Sequence, residues 1–251
     1  MTGRTIKGTV ALVTGANRGI GGAIAEALLE RGARKVYATA RDPKTVEGLK
    51  QRYGSRVVLL QLDVTRADQV AEIARLAPDV ELLFNNAGLA TMTELSSEAV
   101  VDRARSEIEV NYLGPLRLVQ RLAPTLARNG GGAVVNVASI AGLANLLMIP
   151  TYSASKAALH SLTQAARVLL AAQGTLVCGV YPGPVDTDMS RELQVPKTPA
   201  CDVAHAILDG VEVGQEEIFP DPFAADFGRR YEASPKAAEL YFASMTSSQV
   251  A

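Results

Sequence analysis

The stretch Thr14-Gly15-Ala16-Asn17-Arg18-Gly19-Ile20-Gly21 decides how this chain is read. It follows an apolar, β-branched run at residues 9–13 and leads into Ile20, Ala23, Ile24, Ala27 and Leu28, which repeat at helical spacing until Gly32 stops them. A second apolar run, residues 35–39, completes a strand, helix, strand unit. A glycine-rich turn in this position directs backbone N–H groups and a helix N-terminus toward an anion, and glycines without side chains let a pyrophosphate approach closely. A tight turn of purely structural purpose also uses glycine, so the rest of the chain decides between the two.

Outward from this unit, residues 57–62, 82–85, 133–138, 175–181 and 217–219 form further short runs, several apolar throughout, alternating with longer stretches of helical period. Strands without polar alternation suit a sheet covered on both faces. The expectation is a Rossmann-type, doubly wound α/β fold, a parallel sheet of about seven strands with helices on both faces. With 251 residues and no composition shift, repeat or low-complexity linker, the chain reads as one domain over 1–251. Pro182, Pro184, Pro196 and Pro199 bracket polar residues, so 183–200 is expected to be a mobile loop or short helix beside a substrate. Residues 221–251 read as a C-terminal extension, with a helix through Phe242 and a frayed end.

Composition excludes several functions. Hydrophobic residues at 48% and charged residues at 20% describe a globular chain, and 25 Lys+Arg against 26 Asp+Glu leave no field to attract nucleic acid or anionic lipid. Cys178, Cys201, His160 and His205 have neither zinc-ligand spacing nor partners for a His-based triad, so no metal is expected. The uncharged run at 130–155 is broken by Gly131, Gly132, Asn136, Asn145 and Pro150 and is no membrane helix. The first ten residues lack the apolar core of a secretory signal, and the two cysteines read as reduced thiols; the expected location is the cytoplasm.

Three more features carry chemistry: Asn85-Asn86-Ala87-Gly88 after the fourth strand, Ser139 after the fifth, and Tyr152-Ser153-Ala154-Ser155-Lys156 opening the next helix. Tyr152 and Lys156 lie four apart, on one helix face. A phenol titrates near pH ~10, and an adjacent ammonium is expected to bring it down toward working pH. Ser153 stands three residues before Lys156, but neither serine combines the Ser-x-x-Lys separation with a nucleophile elbow, so a hydrolase fits poorly.

With these features in place, the chain resembles the short-chain dehydrogenase/reductase family in its compact single-domain branch, over residues 7–219. Gly15, Gly19 and Gly21 match the Thr-Gly-x-x-x-Gly-x-Gly of that branch, Tyr-x-x-x-Lys follows the serine at the family's distance, and Pro182, Gly183 and Thr187 match its motif after the sixth strand. The resemblance implies four catalytic residues. Tyr152 moves the proton to or from the substrate oxygen, Ser139 hydrogen-bonds that oxygen, Lys156 holds the nicotinamide ribose, and Asn111 serves a proton relay through a water. Pro115, four residues beyond Asn111, has no N–H to give its carbonyl, which adds a physical reason for that relay; a simple kink of a helix over 98–127 is the other reading. The implied cofactor contacts are Gly15, Asn17, Arg18, Gly19, Ile20, Gly21, Arg41, Asp63, Val64, Asn86, Ala87, Gly88, Tyr152, Lys156, Pro182, Gly183, Val185 and Thr187.

The end of the second strand bears on which nicotinamide cofactor is used. A carboxylate there would bind both ribose hydroxyls and repel a 2′-phosphate, whereas this chain has Ala40 followed by Arg41, with Arg18 expected nearby. The expectation is NADP(H). The activity expected is reduction of a ketone or aldehyde to an alcohol, or the reverse. A 3-ketoacyl thioester reductase and a catalytically silent nucleotide-binding regulator are the alternatives. Residues 89–95 and 143–149, largely apolar, are expected to wall the pocket. Leu116, Leu118, Val119 and Leu122 cover more than one face of their helix, which points to a homo-oligomer, a tetramer before a dimer.

Overall fold

The computed structural model describes residues 2–247. In chain order the elements are β1 (Val10–Thr14), α1 (Gly19–Glu30), β2 (Lys35–Ala40), α2 (Glu47–Tyr53), β3 (Val57–Gln61), α3 (Ala67–Leu76), β4 (Leu82–Asn85), α4 (Val100–Ile108), α5 (Gly114–Arg128), β5 (Ala133–Val137), α6 (Pro150–Ala171), β6 (Leu176–Val180), β7 (Val185–Asp186), β8 (Thr198–Pro199), α7 (Ala200–Val213), β9 (Glu217–Ile218), α8 (Pro222–Ala233) and α9 (Pro235–Ser247). Seven strands form one parallel sheet in the order β3-β2-β1-β4-β5-β6-β9. The order reverses between β1 and β4, so the loops leaving their C-terminal ends diverge and open a crevice.

The sheet's two faces explain the continuous apolar strands. Successive side chains point to opposite faces. Ala11 and Val13 therefore pack with Phe84, Val135 and Cys178 under α1 and α7, whose Ile24, Leu28, Val203 and Ile207 meet them. Val10 and Leu12 turn the other way, to Leu83, Val134 and Val177, covered by Ile73 of α3, Leu118 and Leu122 of α5 and Leu170 of α6. Each fully buried leucine of these layers stabilises the fold by about 1.5–3 kcal/mol. A third cluster, built on Ile140, Leu159, Tyr181, Phe227 and Phe242, fastens α8 and α9 over the turn that follows β5.

The seven strands of the sheet begin and end within one residue of their expected places, and the 183–200 segment contains two further strands of its own. Four expectations are corrected. The single helix over 98–127 is two helices joined by a π turn, Glu109–Leu113, in which Gly114 N–H bonds back to Glu109 O. Pro115 then falls in the first turn of α5, where a missing N–H costs little. The helix through Phe242 is likewise two, because Pro235 cannot continue α8 past Ser234, whose extended backbone ends it; residues 248–251 of the extension lie outside the described residues. The 183–200 segment is neither a bare loop nor a helix, since β7 and β8 pair in parallel around a short 3₁₀ turn, Asp188–Ser190. Finally, Leu118, Val119 and Leu122, read as surplus apolar surface, are buried in this chain's own core. Val168 and Leu169, adjacent on α6, are by contrast among the exposed apolar residues.

Candidate active site

The glycine-rich turn sits where β1 enters α1. Thr14 Oγ1 accepts hydrogen bonds from Asn86 N and Ala87 N at 2.9 Å each, and Asn86 Nδ2 donates back to Thr14 O at 2.9 Å and Gly15 O at 3.3 Å. The Asn86-Ala87-Gly88 turn after β4 is thereby stitched to Gly15. Gly21 is the floor of this contact, because a Cβ there would stand 2.2 Å from Asn86 Nδ2 and 2.3 Å from Gly15 O. Gly19, at φ +55°, meets Thr187 across the crevice. Asn17 and Arg18 are exposed at the rim, and Ile20 is half-buried against the α1 side of the core. A cleft whose floor admits no side chain, between a strand end and a helix start, fits the pyrophosphate of a dinucleotide.

Arg41 is exposed just beyond buried Ala40 at the end of β2. The next residue, Asp42, spends its carboxylate on Lys44 N at 3.0 Å, as the cap of a 3₁₀ turn. Arg18 turns toward the 183–200 segment, where its Nη1 donates to Asp188 Oδ2 at 2.8 Å, and Arg191 binds the same carboxylate. The carboxylate partner of Arg18 thus comes from the 183–200 segment, where Lys197 Nζ also donates to Arg191 O at 3.1 Å. Asp63, past β3, accepts from Thr65 N and Thr65 Oγ1 at 3.0 and 2.7 Å, and Val64 beside it is buried where α5 begins.

The four polar residues expected to be catalytic come together above β4 and β5. Asn111, fully buried in the π turn, grips Leu89 by both backbone groups, accepting from its N–H and donating to its carbonyl at 2.8 Å each, and donates to Ser155 Oγ at 2.8 Å. Gly88 lies between this residue and Lys156: a Cβ on it would be 3.5 Å from Asn111 Oδ1 and 3.6 Å from Lys156 Nζ. Lys156 is buried, with Nζ donating to Val137 O at 2.8 Å and standing 5.7 Å from the centroid of the Tyr152 ring. Ser139 caps the 3₁₀ turn after β5 through Ala141 N at 3.1 Å and hydrogen-bonds the Tyr152 phenol.

Burial dominates the electrostatics. It pushes the Tyr152 phenol up to about 12, against a lowering by the Ser139 hydrogen bond and with a further rise from the negative charge of Glu107. It pushes the Lys156 ammonium down to about 8. Burial, which removes a phenolate from water, thus moves the phenol opposite to the lowering expected from Lys156.

Beyond Thr187, Gly183 N donates to Asp221 Oδ2 at 2.8 Å while Asp221 Oδ1 caps α8 at Ala224 N, also at 2.8 Å, which anchors Pro182 and Gly183 to the C-terminal helices; Val185 is buried in β7. Sequence reading passed over Asp221, although Asp directly before Pro222 is a helix-start signature. It also passed over the buried ladder in which Asn85 Nδ2 donates to Asn136 Oδ1 and Asn136 Nδ2 to Thr163 Oγ1, at 2.8 and 2.9 Å, joining β4, β5 and α6. Nothing local in the sequence marks either asparagine as buried. Around the site, Met92, Leu95, Leu147, Met148 and Met189 are exposed apolar side chains on the flanking segments. Among the described residues no cluster of His, Cys, Asp and Glu could hold a metal, and no helix is long and apolar enough to cross a membrane.

This architecture defines a dinucleotide-binding α/β protein with a Ser, Tyr and Lys constellation at the strand ends. The profile of the family described as short chain dehydrogenase matches residues 9–197, and the chain belongs to that family of oxidoreductases. An uncharacterized oxidoreductase of Staphylococcus aureus is 34% identical over 206 residues, covering 79% of this chain and 89% of that one. Among solved structures, a short chain dehydrogenase from Burkholderia cenocepacia in complex with NADP is 40% identical, with a TM-score of 0.89 over 95% of this chain and 99% of that one. A short-chain dehydrogenase from Streptomyces avermitilis is 28% identical, with a TM-score of 0.84 over 97% and 99%.

Proposed function

We propose that this protein is an NADPH-preferring oxidoreductase that interconverts a ketone or aldehyde and an alcohol. The observation that carries the reading is the convergence of Ser139, Tyr152, Lys156 and Asn111 beside the glycine-floored crevice. The NADP complex of the Burkholderia cenocepacia relative, and Ala40 where a carboxylate would exclude a 2′-phosphate, support NADP(H). Arg41 is placed to meet that phosphate, and Arg18 reaches it by exchanging Asp188 for it. The turn at Gly15, Asn17, Gly19, Ile20 and Gly21 takes the pyrophosphate, Asp63 and Val64 the adenine side, and Asn86, Ala87, Gly88, Pro182, Gly183, Val185 and Thr187 the nicotinamide half.

When bound, the nicotinamide supplies or accepts the hydride at the substrate carbon. Ser139 donates a hydrogen bond to the substrate oxygen as negative charge develops there. The Tyr152 O–H bond breaks, and its proton passes to that oxygen during reduction. Lys156, easily deprotonated because it is buried, holds the ribose and returns a proton toward Tyr152. Asn111 keeps the π turn and residue 89 in place, and its carbonyl, which Pro115 cannot bond, is free to hold a water that completes the relay. The exposed apolar rim favours an alkyl or aryl carbonyl compound.

Turnover of NADPH with a panel of ketones and aldehydes tests the reading. Tyr152→Phe should keep the fold and NADPH affinity and remove nearly all turnover, and Ser139→Ala should be slow with intact NADPH affinity. Turnover of Tyr152→Phe within tenfold of the parent would remove Tyr152 from its role. A parent that binds NADPH tightly yet turns over no carbonyl compound would favour the silent regulator.

A further inference from the structure

Helix α4 carries one fully buried side chain, and it is a glutamate. Glu107 is 0% exposed, and no ion pair joins it among the described residues. Its Oε1 accepts from Thr91 N at 2.7 Å and Thr91 Oγ1 at 2.8 Å, and the Thr93 hydroxyl donates in turn to Thr91 Oγ1 at 3.0 Å. Its Oε2 is buried without a hydrogen-bond partner. Met92, between the two threonines, has φ +49°, a left-handed conformation that a bulky side chain adopts only when its surroundings hold it there. Leu89 is held by Asn111, one helical turn along from Glu107. Two buried polar side chains, four residues apart, thus clamp the backbone of the 89–93 strap at two points.

A fully buried side chain with one unpaired oxygen is expensive, and an apolar residue would pack α4 at lower cost. Glu107 performs a task that an apolar residue cannot: it accepts from the Thr91 amide, which the strap would otherwise leave unpaired.

We propose that Glu107 is a positioning residue of this site: through Thr91 it fixes the strap that walls the substrate side. That the strap walls a substrate rests on the proposed function; the clamp on Thr91 does not.

Glu107→Gln and Glu107→Ala in the NADPH-bound enzyme test the clamp. The glutamine keeps an acceptor for Thr91, so it should leave Thr91 amide hydrogen exchange and the KM for the carbonyl substrate within about threefold of the parent. The alanine should accelerate exchange of the Thr91 amide at least tenfold and raise the KM by a similar factor. If the alanine variant does not fold, Thr91→Val serves in its place, removing one of the two clamp bonds and raising KM with kcat unchanged. Unchanged Thr91 exchange and KM in the alanine variant, or an unchanged KM in Thr91→Val, would overturn the clamp. If Tyr152→Phe retained turnover, the proton-donor assignment would fail by itself, with Thr91 exchange still reporting on the clamp.

Discussion

Gly21 and Gly22 are adjacent in α1, yet the structure assigns them opposite tolerance to a methyl group. A Cβ on Gly21 would lie 2.2 Å from Asn86 Nδ2 and 2.3 Å from Gly15 O, more than an ångström inside ordinary contact. Asn86 alone could swing away, but the Gly15 carbonyl is backbone of the same turn, so the turn itself must move. Overpacking of this kind costs about 1–3 kcal/mol. Displacing Asn86 also strips its bonds to Thr14 O and Gly15 O, each a net contribution of about 0.5–1.5 kcal/mol. Gly21→Ala should therefore lose about 2–6 kcal/mol, lowering Tm by roughly 4–24 °C in a chain of this size. Its NADPH affinity should fall by about 100-fold, equivalent to about 2.7 kcal/mol, because the turn's N–H groups no longer converge. A Cβ on Gly22 meets its nearest atom, Ala16 O, at 3.5 Å, so Gly22→Ala should bind NADPH within twofold of the parent and be up to about 1 kcal/mol more stable through its helix preference. Thermal denaturation and fluorescence titration with NADPH of the three proteins make the comparison. Gly21→Ala with parental Tm and affinity, or equal damage from both substitutions, would refute the close-approach argument.

Comparing kcat/KM for NADPH and NADH should show NADPH preferred, and Ala40→Asp combined with Arg41→Ala should reverse the preference; a double variant with an unchanged ratio would mean that the end of β2 does not set it. Burial holds Lys156 near 8 in the folded chain, below its ordinary 10.5, so between those values the unfolded chain binds the extra proton and stability rises with pH. Urea denaturation should then show the parent gaining on Lys156→Met by about 1.4 kcal/mol per pH unit between pH ~8 and ~10, a gain that disappears below pH ~8. Val168 and Leu169, 77% and 76% exposed on α6, offer a face for the expected homo-oligomer. Light scattering at micromolar concentration should find it, and Val168→Glu with Leu169→Glu should dissociate it; a monomeric parent would defeat the expectation.

Much of this protein can be read from its sequence alone, for a specific reason. A parallel sheet covered on both faces needs strands that are apolar throughout, and such runs stand out between helical periods at 9–13, 82–85 and 133–138 whatever their partners are. The glycine turn, Ser139 and the Tyr152 to Lys156 spacing are legible because each is a local requirement: a backbone approach, a strand end, one turn of helix. Tertiary structure decided what depends on residues distant in sequence. The π turn at Glu109–Leu113 forms where Asn111 must reach both Leu89 and Ser155, a demand that no window around residue 111 contains. Arg18 pairs with Asp188, 170 residues away, because the 183–200 segment folds back over the crevice. The rise of the Tyr152 phenol, opposite to what its lysine neighbour suggested, follows from how much protein surrounds it. Local patterns determine which element forms and which way its faces point, whereas desolvation and long-range partners exist only once the chain has closed on itself.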